Sequence, residues 1–235
     1  NIDVVRGVNF QPIAFTGAAT NDDLKRERIT IPDLLHGIEE QTGGILRADD
    51  FYPIPCVGPI IDLVESYTGT PQIKFTAHQH CGAATYVFVT EQGIVPVNQI
   101  VDVEEFFHTI DTTAKGLRKG GKINKYLTLI EGVKHLKHTL KSESRHKIDF
   151  YGLITNALIH QNFDALRAFH WNALFIGTMH FMDNYNYDLN RVNRCCIHYA
   201  TPDGRIIPFC TYNSGPVWRE EVWKKFAHPT GDSPE

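Results

Sequence analysis

Between Arg191 and Asn213 the chain reads R-V-N-R-C-C-I-H-Y-A-T-P-D-G-R-I-I-P-F-C-T-Y-N, and this run limits the fold more than any other. Pro202-Asp203-Gly204 is a turn signal, flanked on both sides by apolar residues with the look of short strands. Such a hairpin draws Cys195, Cys196 and Cys210, three of the five cysteines, toward one another. The other two also sit in turn-like settings: Cys56 in P-I-P-C-V-G-P and Cys81 in H-Q-H-C-G. Thiols scattered beside Pro and Gly point to iron–sulfur ligation more than to core packing.

The alternatives can be weighed from the spacing. A disulfide framework does not suit a chain of 235 residues with an odd cysteine count and no secretory leader. Zinc is usually announced by C-x-x-C or H-x-x-x-H pairs, which are absent. Cys195 and Cys196 cannot readily serve one cluster together, because adjacent side chains point apart. Cys56, Cys81, one of the adjacent pair and Cys210 would supply the four thiolates of a [4Fe–4S] centre. Spacing alone leaves that reading level with inert thiols.

Histidines and carboxylates add candidates. His78 and His80 flank the Cys81 turn and would share a strand face, which suits metal or cofactor contact; loop histidines satisfied by backbone carbonyls are the bland alternative. His180, Asp183 and Tyr185 belong to a polar and aromatic cluster, H-F-M-D-N-Y-N-Y-D, just before the hairpin. They are candidates for substrate or cofactor contact, against a plain role in capping turns.

Periodicity gives the organisation. Val4 to Thr16 reads as a strand, followed by a polar loop through Arg28. Thr30, Pro32 and Asp33 signal a helix start, with Leu34, Leu35 and Ile38 facing inward and Gly43-Gly44 as the stop. Ile60 to Tyr67 reads as a short helix. Gln72 to Ala77, Thr85 to Thr90 and Ile94 to Val97 read as strands. From Val103 the period becomes helical: Phe106, Phe107 and Ile110 open one helix, and Tyr126 to Leu140 carry a second. Ile148 to His160 and Phe163 to Phe169 continue as helices. Trp218 to Phe226 is a short amphipathic helix, and the last residues, 228–235, are expected to fray. The order fits the later part of an α/β barrel (1–101), a helical extension (102–170) and a cysteine-rich iron–sulfur module (171–235).

Composition excludes some functions. The net charge is −4, and the lysines and arginines between residues 115 and 147 read as a solvated helical face. With no aromatic interleaving there, nucleic-acid binding is not expected. No run of about eighteen uncharged apolar residues exists, so no transmembrane segment is expected. The chain starts at Asn1 without a leader, which suggests a piece of a longer protein. A cytoplasmic protein is expected, with peripheral membrane association as the alternative.

Four stretches carry a resemblance. G-V-N-F-Q-P-I-A-F-T-G, D-D-F-Y-P-I-P-C, F-T-A-H-Q-H-C-G-A-A-T-Y-V-F-V and the run from Met179 through Asn213 closely resemble radical S-adenosylmethionine proteins. The group in question includes archaeal tetraether lipid synthases and 7,8-dihydro-6-hydroxymethylpterin dimethyltransferases. The resemblance implies a partial α/β barrel with an auxiliary [4Fe–4S] cluster on Cys56, Cys81, Cys195 and Cys210, and Cys196 as a further candidate. It implies S-adenosylmethionine on a cluster of its own, a 5′-deoxyadenosyl radical that abstracts hydrogen from unactivated carbon, and an electron donor such as ferredoxin or flavodoxin. The C-x-x-x-C-x-x-C triplet that holds the radical-generating cluster is missing. The chain therefore resembles the C-terminal portion of such an enzyme, inactive alone. Lipid alkyl-chain coupling is the leading expectation and methylation of a pterin precursor the alternative; a non-enzymatic iron–sulfur carrier is the reading of another class.

Overall fold

The computed structural model describes residues 4–17, 19–91, 93–120, 122–141, 148–160 and 163–227. The expected fraying of 228–235 falls outside them. The centre is a mixed sheet of β1 (Gly7–Phe10), β2 (Tyr52–Pro53), β3 (Gly82–Thr90), β4 (Gly93–Pro96) and β5 (Ala173–Met179). β1 runs parallel to β5, with Val8 opposite Ile176 and Phe10 opposite Thr178. β5 runs antiparallel to β3, and β3 is antiparallel to β2 and β4 along its far edge. The described strands form an open mixed α/β sheet, not a closed barrel. β5 lies beyond the expected boundary at 171, yet it is central to this sheet.

Strand alternation divides β3 between two cores. Phe88 faces the larger one. There Leu63 of α3 (Gly58–Thr68) meets Phe106, Ile110 and Leu117 of α4 (Val103–Lys119). Leu129 and Leu136 of α5 (Lys122–Leu136) and Phe150 of α6 (Phe150–His160) complete it. The buried residues of α4 recur at helical spacing, which explains the change of period at Val103. Each fully buried Leu, Ile or Phe contributes about 1.5–3 kcal/mol. Val87 and Ile176 face the smaller core with Leu46 and Phe51, roofed by Leu35 and Ile38 of α2 (Ile31–Gln41).

Local signals explain the helix ends. The Thr30 hydroxyl accepts from the Asp33 N–H and the Asp33 carboxylate accepts from the Thr30 N–H, a closed capping box with Pro in the first turn. Thr20 and Asp23 make the same box for α1 (Asn21–Glu27), a helix where a polar loop is expected. That short segment has no buried residue, so no apolar stripe announces it. Two expected strands are shorter or absent. Of Val4 to Thr16 only Gly7–Phe10 pairs, and Gln72 to Ala77 is irregular backbone, with the Thr76 hydroxyl donating to the Arg194 carbonyl.

After α7 (Phe163–Asn172) and β5 comes α8 (Leu189–Asn193), which Asp188 caps by accepting from the Asn190 N–H. The expected hairpin follows as β6 (His198–Ala200) and β7 (Ile206–Pro208), turning at Gly204 with φ +83°. α9 (Phe209–Ser214) and α10 (Pro216–Phe226) close the chain. Among the described residues no helix is long and apolar enough to cross a membrane.

Candidate functional site

Because β1 and β5 are parallel, the segments leaving their C-terminal ends lie on the same side of the sheet, where α/β proteins commonly place their sites. One buried carboxylate ties them together. Asp183 is 0% exposed, and its Oδ2 accepts from the Phe15 N–H at 2.8 Å across a separation of 168 residues. Arg28 reaches it from a third segment, at 3.0 Å to Oδ1 and 2.9 Å to Oδ2. The Tyr185 N–H donates to Oδ1 as well, closing a local turn. Burial works against the charged form of Asp183, but Arg28 and the two backbone N–H donors outweigh it and hold the carboxyl below its ordinary value. Its acceptors are thus taken up by the protein itself.

His180, the first residue after β5, continues the ladder: its N–H donates to the Cys81 carbonyl at 3.0 Å. Its side chain is buried, and Nε2 has no partner among the described residues. Burial lowers its pKa, with the charges of Arg191 and Arg28 adding to that and Asp183 opposing, so the ring is neutral at pH 7. Tyr185 is half exposed and its hydroxyl donates to the Ala19 carbonyl at 3.4 Å. Tyr187 bridges instead to the Thr211 hydroxyl on α9 at 2.6 Å.

Arg191 joins this segment to the cysteines. It is buried on α8, donates through a terminal nitrogen to the His180 carbonyl, and points Nε–H at the Cys81 sulfur, 3.4 Å away. Cys210, on α9, accepts from the Met182 N–H at 3.3 Å. Burial pushes the Cys210 thiol up, Met182 and Arg191 pull it down, and the nearby Cys195 and Cys81 push it up again. Hydrogen bonds tie the three segments together: the Cys81 carbonyl to the His180 N–H and its sulfur to Arg191, the Cys210 sulfur to the Met182 N–H, and the Cys195 N–H to the Val192 carbonyl on α8. Cys195 donates its own S–H to the Ile197 carbonyl at 3.0 Å, and Cys196 beside it is half buried.

Cys56 faces elsewhere. It lines an apolar cavity of about 300 Å³ with Tyr52, Tyr86, Phe106 and Phe169, and burial alone pushes its thiol up to about 11. Its turn is nonetheless next to that of Cys81, because Ile54 packs against Gly82. His78 is half buried at the same end. Its Nδ1 accepts from the His80 N–H at 3.2 Å, and the two rings meet edge to face at 4.6 Å. Burial, then the charges of His80 and Arg194, lower the His78 pKa, with Asp188 opposing.

Among the described residues no three His, Cys, Asp or Glu donors converge on a single metal ion. A cubane spreads its sulfur ligands around a body much larger than an ion, so donor chemistry is the more relevant test. Here two cysteine sulfurs accept N–H donors, and a buried guanidinium stands beside them, the environment an anionic thiolate cluster favours. On that chemistry the locus fits. Sequence patterns did not single out Arg28, Arg191 or Phe15. Arg191 was the findable one, an arginine four residues before the cysteine pair in the most constrained run.

No protein-family model matches the chain. It is 44% identical over 233 residues to 7,8-dihydro-6-hydroxymethylpterin dimethyltransferase of Methanocaldococcus jannaschii, an alignment covering 97% of this chain and 46% of the relative. The chain thus spans about half the length of the curated relative it matches.

Proposed function

We propose that the chain forms the C-terminal portion of a radical S-adenosylmethionine methyltransferase acting on a pterin precursor. The observation that carries this is the 44% identity along 97% of the chain to a relative named as a pterin dimethyltransferase. It favours the pterin alternative over lipid alkyl-chain coupling, the leading expectation from the sequence. On this reading the parallel β1–β5 pair belongs to a partial α/β barrel, and the hairpin with α9 is an auxiliary cluster module.

Cys81, Cys195 and Cys210 would hold an auxiliary [4Fe–4S] cluster, with Cys56, whose turn adjoins that of Cys81, as the fourth ligand. Such a cluster supplies one-electron chemistry, fed by a donor such as ferredoxin or flavodoxin. Other tasks fall to the chain itself. Asp183 and Arg28 fix the two segments that leave β1 and β5, so whatever binds there meets a preorganised wall. His180, neutral and buried, offers Nε2 for a hydrogen bond without adding charge. The rings of Phe181, Phe209, Tyr199 and Tyr212 pack in series where β6 and α9 meet, on the element that carries Cys210.

The test is to reconstitute the full-length protein anaerobically with iron and sulfide, then supply S-adenosylmethionine, a strong reductant and 6-hydroxymethyl-7,8-dihydropterin. Mass spectrometry should show pterin carrying one or two added methyl groups. Cofactor cleavage with unmodified pterin, alongside coupled alkyl chains when lipid is offered, would overturn the reading in favour of lipid.

A further inference from the structure

We propose that Arg191 is a positioning residue that sets the reduction potential of the cysteine-bound cluster, by donating to the Cys81 sulfur and placing a fixed positive charge beside it. This rests on the reading that those cysteines hold a cluster.

The argument starts from an imbalance of charge. Arg191 is 7% exposed, and a guanidinium stays protonated in any protein. A buried cation is normally matched by a carboxylate, as Arg28 is by Asp183. Among the described residues Arg191 has no carboxylate: its partners are the Cys81 sulfur and the His180 carbonyl. One partner is neutral, and neither Asp183 nor Asp188 makes an ion pair with it, so the sulfur side is where a compensating anion would touch the guanidinium. An all-cysteine iron–sulfur cluster carries net negative charge and supplies that anion, which lone neutral thiols do not.

The guanidinium is also held firmly. α8 is capped by Asp188, and the bond to the His180 carbonyl anchors one arm of the fork. Nε–H is left aimed at sulfur, with little rotamer freedom for the side chain to lose when a cluster binds. Adding one electron makes a cluster more negative, so both the N–H···S bond and the nearby charge favour the reduced form. Removing them should make reduction harder. Arg194, at the C-terminal end of the same helix, offers a built-in control, because its side chain is exposed and donates to neither sulfur.

The test uses the full-length protein with dithionite as reductant and follows the auxiliary cluster by electron paramagnetic resonance through a potential titration. Iron and sulfide content are measured alongside. In Arg191→Gln we expect the ratio of reduced to oxidised cluster at a fixed potential to fall about tenfold, a midpoint about 59 mV more negative for one electron. Arg194→Gln should keep the wild-type midpoint. Arg191→Gln with full iron content and an unchanged midpoint overturns the proposal. Should Arg191→Gln fail to assemble the cluster, Arg191→Lys decides. It retains charge but lacks Nε–H, so an intermediate midpoint supports the proposal and a wild-type midpoint overturns it. A reconstituted wild type whose iron content matches the radical-generating cluster alone would instead remove the auxiliary-cluster reading itself.

Discussion

Replacing Asp183 by Asn tests the claim that one carboxylate holds the two strand ends together. The side chain keeps its shape but loses its charge, and one of its two oxygens becomes an N–H2 donor. That donor must face Arg28, Phe15 N–H or Tyr185 N–H, all of which are donors themselves. Asp183 is fully buried and the Arg28 side chain is 20% exposed, so little solvent can repair the mismatch. Removing one partner of such a pair costs about 3–5 kcal/mol. At about 2–4 °C per kcal/mol for a protein of this size, the melting temperature should fall by roughly 10 °C. Urea unfolding of wild type, Asp183→Asn, Arg28→Met and the double variant would measure this, with the double variant losing less than the sum of the singles. The pH dependence follows from the depressed carboxyl. Stability from Asp183 is present above its unfolded value of about 3.9 and is lost as pH falls through the lower folded value. The gap between wild type and Asp183→Asn should therefore close under acid. A loss under about 1 kcal/mol at neutral pH, or additive single variants, would refute the reasoning.

Other outcomes follow from the same geometry. Gly82→Ala places a Cβ 2.5 Å from the Thr178 carbonyl oxygen and 2.6 Å from Ile54 Cδ1. The backbone oxygen cannot swing aside, so β3 and β5 must part beside Cys81, at a cost of about 1–3 kcal/mol by thermal unfolding. In cluster-free protein Cys56 should alkylate with iodoacetamide about a hundredfold more slowly near pH 8 than an unperturbed thiol, because burial lifts it from 9.0 to about 11. Peptide mapping would show it, and equal labelling of Cys56 and Cys195 would contradict the cavity placement. The 235 residues alone should yield no 5′-deoxyadenosine from S-adenosylmethionine under reducing conditions, since they lack the C-x-x-x-C-x-x-C triplet. Its detection would show that cleavage proceeds without the triplet.

Sequence patterns revealed elements whose chemistry is local. The Thr30 box, the helical stripe of α4 and the Pro-Asp-Gly hairpin each depend on residues within one or two turns, and each is where its pattern puts it. β5 is the instructive miss. A-L-F-I-G-T-M is buried on both faces, so it lacks the alternation that marks a half-buried strand. Asp183 was legible as a polar residue worth noticing, whereas its partners lie 155 and 168 residues away in sequence, beyond the reach of any local pattern. The cysteine locus was half legible. The hairpin showed itself, but the inward turn of Cys56 depends on packing among β2, β3 and α4 that spacing does not encode.

β1 carries one further consequence. It pairs with β5 on one side only among the described residues, and Val8 and Phe10 stand 40% and 38% exposed along it. A short parallel strand with a bare row of peptide groups and greasy side chains behaves like an unzipped seam, ready to stitch to any extended backbone it meets. This polypeptide is therefore expected to self-associate through that seam.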